Sequence, residues 1–150
     1  MNQEFIELSS LLAFAKTATK MGDKAFCRLG RASETVVQQA AIILNISIQE
    51  FEIVVDSDAI RHTLAQHGVA KSKLEIARGQ IPIVETDLLA LSDWVLQAAT
   101  MRAGQVKAGM LPRLEIEQVE ASGTTIAIVE WRPGRRQLAL ITMYKKRPVA

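Results

Sequence analysis

The sequence predicts an α+β fold in which N-terminal helices pack on a C-terminal antiparallel β-meander of three to four strands. Apolar residues recur at helical spacing before residue 48, and apolar–polar alternation broken by turn residues dominates after residue 113. With 150 residues, 49% of them hydrophobic and 23% charged, the chain can bury a core without disulfides or a metal. We expect a helical hairpin extension over residues 1–48 and one compact domain over residues 49–150.

The first two predicted helices cover residues 5–19 and 31–44. In the first, Phe5, Leu8 and Leu12 fall on one stripe, and residues 21–23 are a predicted stop. The second begins near Ser33 or Ala32 and carries an apolar side of valine, alanine and isoleucine. These helices predict a hairpin that packs on the rest of the chain or on a partner.

A short strand and a third helix follow. Residues 50–56 are rich in β-branched side chains and alternate in part, which predicts a strand. Asp56 begins a segment suited to an N-cap, and the helix over 59–67 ends at Gly68. After a predicted loop over residues 71–80, another helix begins at Glu85 or Thr86 and is broken near residues 92–93.

The last part of the chain predicts the meander. Runs at 114–120, 124–131 and 137–144 have strand character, and Ser122-Gly123 and Arg132-Pro133-Gly134 supply the turns between them. A short strand near residues 105–108 is the predicted fourth member. Strands joined this tightly pair antiparallel.

Composition favours an intracellular protein, cytoplasmic in its producer or in a target cell. The single cysteine, Cys27, predicts a buried thiol rather than a disulfide, and neither a secretory signal nor a membrane-spanning run is evident. We therefore expect no membrane partner. The segment from Met101 onward contains nine basic and four acidic residues, a net charge of +5, whereas the first hundred residues have a net charge of −3. The basic third is suited to a polyanion, and solvated strand faces with a positive tail explain it equally well.

Both histidines of the chain lie on the third predicted helix, as His62 and His67. Imidazole suits proton transfer near neutral pH. Residues five apart on a helix point about 140° from each other, unlike the paired histidines of a zinc helix, so we expect no metal. The sequence has neither a Gly-rich phosphate loop nor a Walker motif, so we also expect no cofactor. One histidine is predicted to face a cleft while the other packs or caps. The alternative makes both structural, with His67 favourable at a helix C-terminus.

Two further segments offer groups for an anion. Arg78 and Gln80 flank a glycine, and a guanidinium suits bidentate phosphate contact, although an ordinary surface loop has the same composition. Thr142 and Tyr144 share one face of the last strand by period-two alternation, followed by Lys145. The polar outer face of an edge strand with a lysine guard is the alternative explanation.

The order of these segments resembles that of a known superfamily. Ile60-Arg61-His62 and His67-Gly68 on a helix, then Arg78-Gly79-Gln80-Ile81-Pro82, then Thr142-Met143-Tyr144-Lys145 are similar to the phage members of the barnase, EndoU, colicin-nuclease and RelE superfamily. These occur as C-terminal domains of MuF-type phage proteins and polymorphic toxins. The resemblance covers about the last two thirds of the chain. It implies helices packed on a four-stranded antiparallel sheet and a metal-independent ribonuclease toxin of phage or prophage origin.

The resemblance also implies roles for the candidate residues. His62 would perform acid/base chemistry, with His67 as alternative or second partner. Arg78 and Lys145 would stabilise the phosphate, and Gln80, Thr142 and Tyr144 would orient the substrate. With Gln80 and Lys145, the basic Arg135 and Arg136 complete the set expected to bind RNA. The implied partners are RNA and an immunity or antitoxin protein.

Two rival hypotheses stay open at this point. A non-catalytic phage structural or delivery-associated domain, or a module that binds protein or RNA without cutting, would have the same fold. The N-terminal helix pair could instead be an interaction element for an immunity protein or for a second copy of the chain, giving a homodimer. Growth arrest with fragments ending in 2′,3′-cyclic phosphate would favour the nuclease.

Overall fold

A computed structural model of the protein describes residues 3–17, 24–69, 72–98 and 100–148. The described helices are α1 (Leu8–Thr17), α2 (Glu34–Leu44), α3 (Ser57–His67), α4 (Ser72–Ala77), α5 (Glu85–Leu89) and α6 (Leu91–Trp94). The described strands are β1 (Gln3–Phe5), β2 (Ala25–Arg31), β3 (Glu52–Asp56), β4 (Gln80–Ile81), β5 (Thr100–Ala103), β6 (Arg113–Glu120), β7 (Gly123–Arg132) and β8 (Gln137–Lys146). No helix in these ranges is long and apolar enough to cross a membrane.

Within the described residues, eight strands form one mixed sheet. The hydrogen-bonded order is β1-β2-β3-β8-β7-β6-β5, and β4 pairs with the end of β8. β5 to β8 are joined antiparallel, whereas β3 runs parallel to β8 and β1 parallel to β2. The α+β class is consistent with the prediction, but a sheet of only three to four antiparallel strands is wrong. The additional strands are short and pair with segments distant in sequence, which a local pattern does not show.

The first 48 residues are not the predicted helical hairpin, because β2 lies between α1 and α2. In β2, Ala25 and Cys27 are buried while Phe26 and Arg28 alternate with them, and the strand pairs antiparallel with β3. The Cys27 thiol is buried, as predicted, and burial together with the nearby Glu4 charge raises its pKa. The predicted stop at residues 21–23 lies outside the described residues.

The three-stranded meander is confirmed as β6, β7 and β8, with bounds slightly longer than predicted. At the start of β7, Gly123 has φ of +142°, and a Cβ there would lie 2.3 Å from the carbonyl oxygen of Lys146. Only glycine accommodates both conditions. The fourth antiparallel strand is β5, so the strand predicted at residues 105–108 is placed a few residues too late.

The predicted third helix is confirmed as α3, and it lies beside β8. Asp56 caps the helix by accepting a hydrogen bond from the Ala59 N–H at 2.7 Å. Beyond Ala139, where the pairing of β3 with β8 ends, the Met143 N–H of β8 donates to the Thr63 hydroxyl of α3 at 3.3 Å. The helix therefore satisfies a backbone donor at an edge of β8 that β3 leaves open.

Two other expectations need correction. The segment expected as a loop over residues 71–80 contains α4 and β4, and residue 71 lies outside the described part of the chain. The helix predicted from Glu85 onward is interrupted at Ala90 rather than near residues 92–93, so that α5 and α6 are separate short helices.

The sheet has one apolar and one polar side. One hydrophobic cluster joins buried strand residues with Leu11 of α1, Val36 of α2 and Ile60 of α3, and we call this side of the sheet the helix face. Cross-strand partners lie on the same side of a sheet. By register and alternation, the opposite side carries Arg102, Arg113, Glu115, Glu117, Ile126, Ile128, Glu130, Arg132, Thr142 and Tyr144. We call this side the polar face.

Candidate active site on the polar face

A cavity of about 410 Å³ lies on the polar face where β6, β7 and β8 run side by side. We call it the Tyr144 cavity, and it is lined by Arg102, Gln105, Arg113, Glu115, Ile128 and Tyr144. Alternation along β6 brings Arg113 and Glu115 to this side, because the intervening Leu114 is buried in the helix face. The cavity therefore combines two guanidinium groups, a carboxylate, an amide and a phenol.

The Tyr144 hydroxyl donates a hydrogen bond to Oε1 of Glu115 at 3.4 Å. Burial raises the pKa of Tyr144, and the charge and hydrogen bond of Glu115 raise it further, whereas Arg102 opposes the shift. The phenol is therefore protonated at neutral pH, and Glu115 accepts its proton in a hydrogen bond. The pair places a proton donor and an acceptor within one cavity.

His67 also lies beside Tyr144, with the two ring centroids 5.7 Å apart. The local sequence fixes this position, since α3 ends at Gly68, whose N–H donates to the Leu64 carbonyl. The His67 carbonyl accepts from the Ile83 N–H at 2.7 Å, which ties the end of the helix to the next segment. An imidazole from α3 thus lies beside the phenol of Tyr144, which is hydrogen-bonded to the carboxylate of Glu115. The residues that line the Tyr144 cavity do not include His67 itself.

Both arginines of the Tyr144 cavity also contact carboxylates. Arg102 forms an ion pair with Glu117, and Arg113 lies 3.7 Å from Glu130, which in turn accepts from Nε of Arg132 at 3.0 Å. The side chain of Arg113 is 21% exposed, whereas that of Arg102 is 57% exposed. Each still has further N–H donors, since a guanidinium carries five.

A second cavity, of about 530 Å³, lies near the first turn of α3, and we call it the His62 cavity. It is lined by Lys24, Asp56, Asp58, His62, Arg132 and Arg135, with apolar atoms from Ala25, Ala59 and β8. His62 is exposed on α3. The two histidines therefore belong to different surroundings, as their five-residue spacing predicts.

Among the predicted catalytic residues, the structure brings together His67 and Tyr144. Thr142 shares the polar face with Tyr144, but it is 9% exposed and its hydroxyl lacks a hydrogen-bond partner among the described residues. His62 lines the other cavity together with Arg135, one of the predicted RNA-binding residues.

The remaining predicted residues lie elsewhere. Lys145 points away from Tyr144 and pairs with Asp87 at 3.7 Å, with its side chain 13% exposed. Gln80 pairs in register with Lys146 at the end of β8, and Arg78 is exposed in the turn just before it. Arg136 is exposed and lies 4.0 Å from Glu50.

Glu115, Arg102 and Arg113 were not among the predicted site residues. The alternation of β6 carries the signal for two of them, because Arg113 and Glu115 fall on the side opposite the buried Leu114. Arg102 carries no such signal, since it reaches the cavity only through the pairing of β5 with β6. Nor does the sequence show that Tyr144 and Glu115 are neighbours.

Among the described residues, no three histidine, cysteine, aspartate or glutamate side chains are grouped so that they could hold a metal ion. Comparison of the chain with protein-family models, with curated proteins and with solved structures found no match.

Proposed function

We propose that the Tyr144 cavity cleaves RNA without a metal ion, by general acid–base catalysis. The observation that carries the proposal is that Tyr144 contacts two groups suited to proton transfer: its hydroxyl is hydrogen-bonded to Glu115, and its ring lies beside His67 at the edge of the Tyr144 cavity. Two arginines line the same cavity. Such a set supplies a base, an acid and cations for a phosphodiester.

The chemistry balances with RNA as the source of the nucleophile. The 2′-hydroxyl oxygen bonds to phosphorus while the bond from phosphorus to the 5′-oxygen breaks. Glu115 accepts the 2′-hydroxyl proton, and His67 in its protonated form donates a proton to the departing 5′-oxygen. The products are a 2′,3′-cyclic phosphate and a free 5′-hydroxyl.

The other groups of the cavity stabilise and orient the phosphate. Arg102 and Arg113 can each offer N–H donors to a non-bridging oxygen, where negative charge increases in the transition state. Tyr144 remains a neutral donor because its pKa is raised, so it can hold an oxygen without adding charge. Gln105 adds an uncharged donor and acceptor at the same cavity.

This proposal transfers the acid/base role from His62 to His67 and Glu115. His62 shares its cavity with Asp56 and Asp58 but makes no contact with Tyr144 among the described residues. His67 contacts the phenol that already binds a carboxylate. A base and an acid must act on the same phosphate. Glu115 and His67 both contact Tyr144, so they are a better pair for this role than any pair that includes His62.

The test is cleavage of a labelled RNA by purified protein in the presence of a chelator. Glu115→Gln and His67→Gln are each expected to lower kcat by about 100-fold or more, the usual contribution of a general base or acid. Glu120→Gln is the matched control, because Glu120 is exposed at the end of the same strand. Products should end in 2′,3′-cyclic phosphate. Full activity in both site variants, or an absolute requirement for a divalent metal, would contradict the proposal.

A second candidate is a module that binds RNA or protein without cutting it, as in the non-catalytic phage structural domains considered above. The pairing of Arg102 with Glu117 and of Arg113 with Glu130 favours it, because paired guanidinium groups leave the polar face nearly balanced in charge. Expression without growth arrest or RNA loss, together with measurable binding, would select this function. Growth arrest with RNA fragmentation would select the nuclease.

A further inference from the structure

The His62 cavity contains carboxylates that are already engaged. Asp58 lies 3.5 Å from Nζ of Lys24 and 3.2 Å from Nη1 of Arg61, so two cations share its charge. Asp56 accepts the Ala59 N–H as the cap of α3. Both aspartates thus already have partners outside Arg135, and neither forms an ion pair with it.

Two groups of the cavity have no hydrogen bond or ion pair with another described residue. They are the imidazole of His62 and the guanidinium of Arg135, and both side chains are exposed. Arg135 stands in the turn between β7 and β8, where Pro133 begins a short 3-10 helix. Arg132 lines the same cavity. Its Nε–H donates to Glu130, and the other N–H groups of its guanidinium are left for a further acceptor. The cavity therefore offers a guanidinium and an imidazole that pair with no other described residue, beside the two aspartates.

The two cavities are connected along the polar face. Glu130 contacts Arg113, which lines the Tyr144 cavity, and Arg132, which lines the His62 cavity. Ile128 and Arg132, each lining one cavity, are four positions apart on β7, roughly 13 Å at the usual rise per residue of a strand. Neighbouring phosphates of an extended nucleic-acid strand lie several ångströms apart, so a strand of a few nucleotides is long enough to reach both cavities.

We propose that the His62 cavity binds a backbone phosphate of the same RNA strand that is cut in the Tyr144 cavity. This inference rests on the proposed function for the identity of the strand. Arg135 and Arg132 give the bidentate contacts that a phosphate prefers, and His62 adds an imidazole N–H. The substrate is therefore an oligonucleotide that follows β7 from one cavity to the other.

The test uses a single-stranded oligodeoxynucleotide, which lacks the 2′-hydroxyl and cannot be cleaved by the proposed chemistry. Arg135→Gln is expected to weaken its binding about tenfold and to reduce the slope of log affinity against log salt concentration by about 0.7, the loss of one phosphate contact. Arg31→Gln is the matched control, because it removes the same charge from an exposed residue of β2 that lines neither cavity. It should change affinity less than twofold.

Three outcomes would overturn the inference: equal affinity of Arg135→Gln and the wild type, equal weakening in Arg31→Gln, or Arg135-dependent binding of inorganic phosphate without Arg135-dependent binding of the oligonucleotide. Failure of the proposed function is distinguishable. If Glu115→Gln cleaves RNA normally while Arg135→Gln still weakens binding, the catalytic assignment fails and the phosphate site stands.

Discussion

Tyr144 is the single tyrosine of the chain, so its ionisation can be followed directly by ultraviolet absorbance. Burial raises its pKa most, followed by the charge and hydrogen bond of Glu115. We expect Glu115→Gln to lower this pKa relative to the wild type, because the substitution removes the negative charge that opposes phenolate formation. Glu120→Gln should leave it unchanged. An unaltered pKa in Glu115→Gln would mean that the two side chains are not in contact in solution.

The same shift has a consequence for stability. A folded-state pKa above the unfolded value of about 10 means that the neutral phenol is favoured in the folded protein. The contribution of the neutral Tyr144 phenol to the free energy of unfolding is complete below a pH of about 10. It is lost as the pH rises through the pKa of Tyr144 in the folded protein. The wild type should therefore lose more stability above that pH than Tyr144→Phe does, as measured by denaturant unfolding across the alkaline range.

Two buried threonines provide a contrast in hydrogen bonding. The Thr63 hydroxyl accepts the Met143 N–H, whereas the Thr142 hydroxyl has no partner among the described residues. We expect Thr63→Val to lower the free energy of unfolding by about 1 to 3 kcal/mol, since it leaves a buried backbone donor unsatisfied. Thr142→Val should be neutral or stabilising by about 1 kcal/mol. Comparable destabilisation of both variants in urea would show that Thr142 has an acceptor or donor in solution.

At the scale of the element, α3 positions both histidines, and Asp56 determines where it starts. The side chain of Asp56 accepts the Ala59 N–H, which is otherwise one of the unpaired donors of the first turn. Asp56→Ala is expected to reduce the free energy of unfolding by about 1 kcal/mol, while Asp56→Asn keeps the cap and most of the stability. Thermal unfolding of both variants checks this. A loss as large in Asp56→Asn as in Asp56→Ala would point to the charge rather than the cap.

The strands of the meander act as elements with two different faces. Along β6, buried Leu114 and Ile116 join the helix face, and Arg113 and Glu115 between them reach the polar face. One residue of slip would exchange the two sets, so the hydrophobic cluster also holds the candidate catalytic residues in register.

At the scale of the whole molecule, one hydrophobic cluster draws on residues from both sides of residue 48. Leu11 of α1 is fully buried in the same cluster that Trp131 of β7 packs against. The predicted separation into an extension and a domain can therefore be tested by asking whether both parts unfold together.

Leu11→Ala is expected to cost about 2 to 5 kcal/mol, the usual effect of removing a buried leucine side chain. In a Trp94→Phe background, fluorescence reports on Trp131 alone, since the chain has two tryptophans. In Leu11→Ala, the urea midpoint reported by Trp131 fluorescence should fall by the same amount as the midpoint reported by the helical circular dichroism signal. Ile6→Ala, at a side chain 93% exposed, is the control. An unchanged Trp131 midpoint in Leu11→Ala would indicate that the first 48 residues unfold independently.

Signals that are local in the sequence predict several of the helices and strands. The periodicity and caps of α2 and α3 and the alternation and turns of the meander depend on residues within a few positions of one another. The same local geometry separates the directions of His62 and His67 and assigns Thr142 and Tyr144 to one face. The sequence does not predict β1, β2 and α4, because short strands and helices depend on contacts with distant segments for most of their stability.

Which charged groups meet depends on the order and register of the strands. The register of β6, β7 and β8 places Glu115 beside Tyr144, and the pairing of β5 with β6 adds Arg102 to the same cavity. Lys145 pairs with Asp87 instead. A hydrophobic pattern specifies that a face is buried but not which neighbour covers it, because burial of apolar surface is non-directional. The location of the candidate site is therefore a property of strand order, and the chemistry available there is a property of the residues.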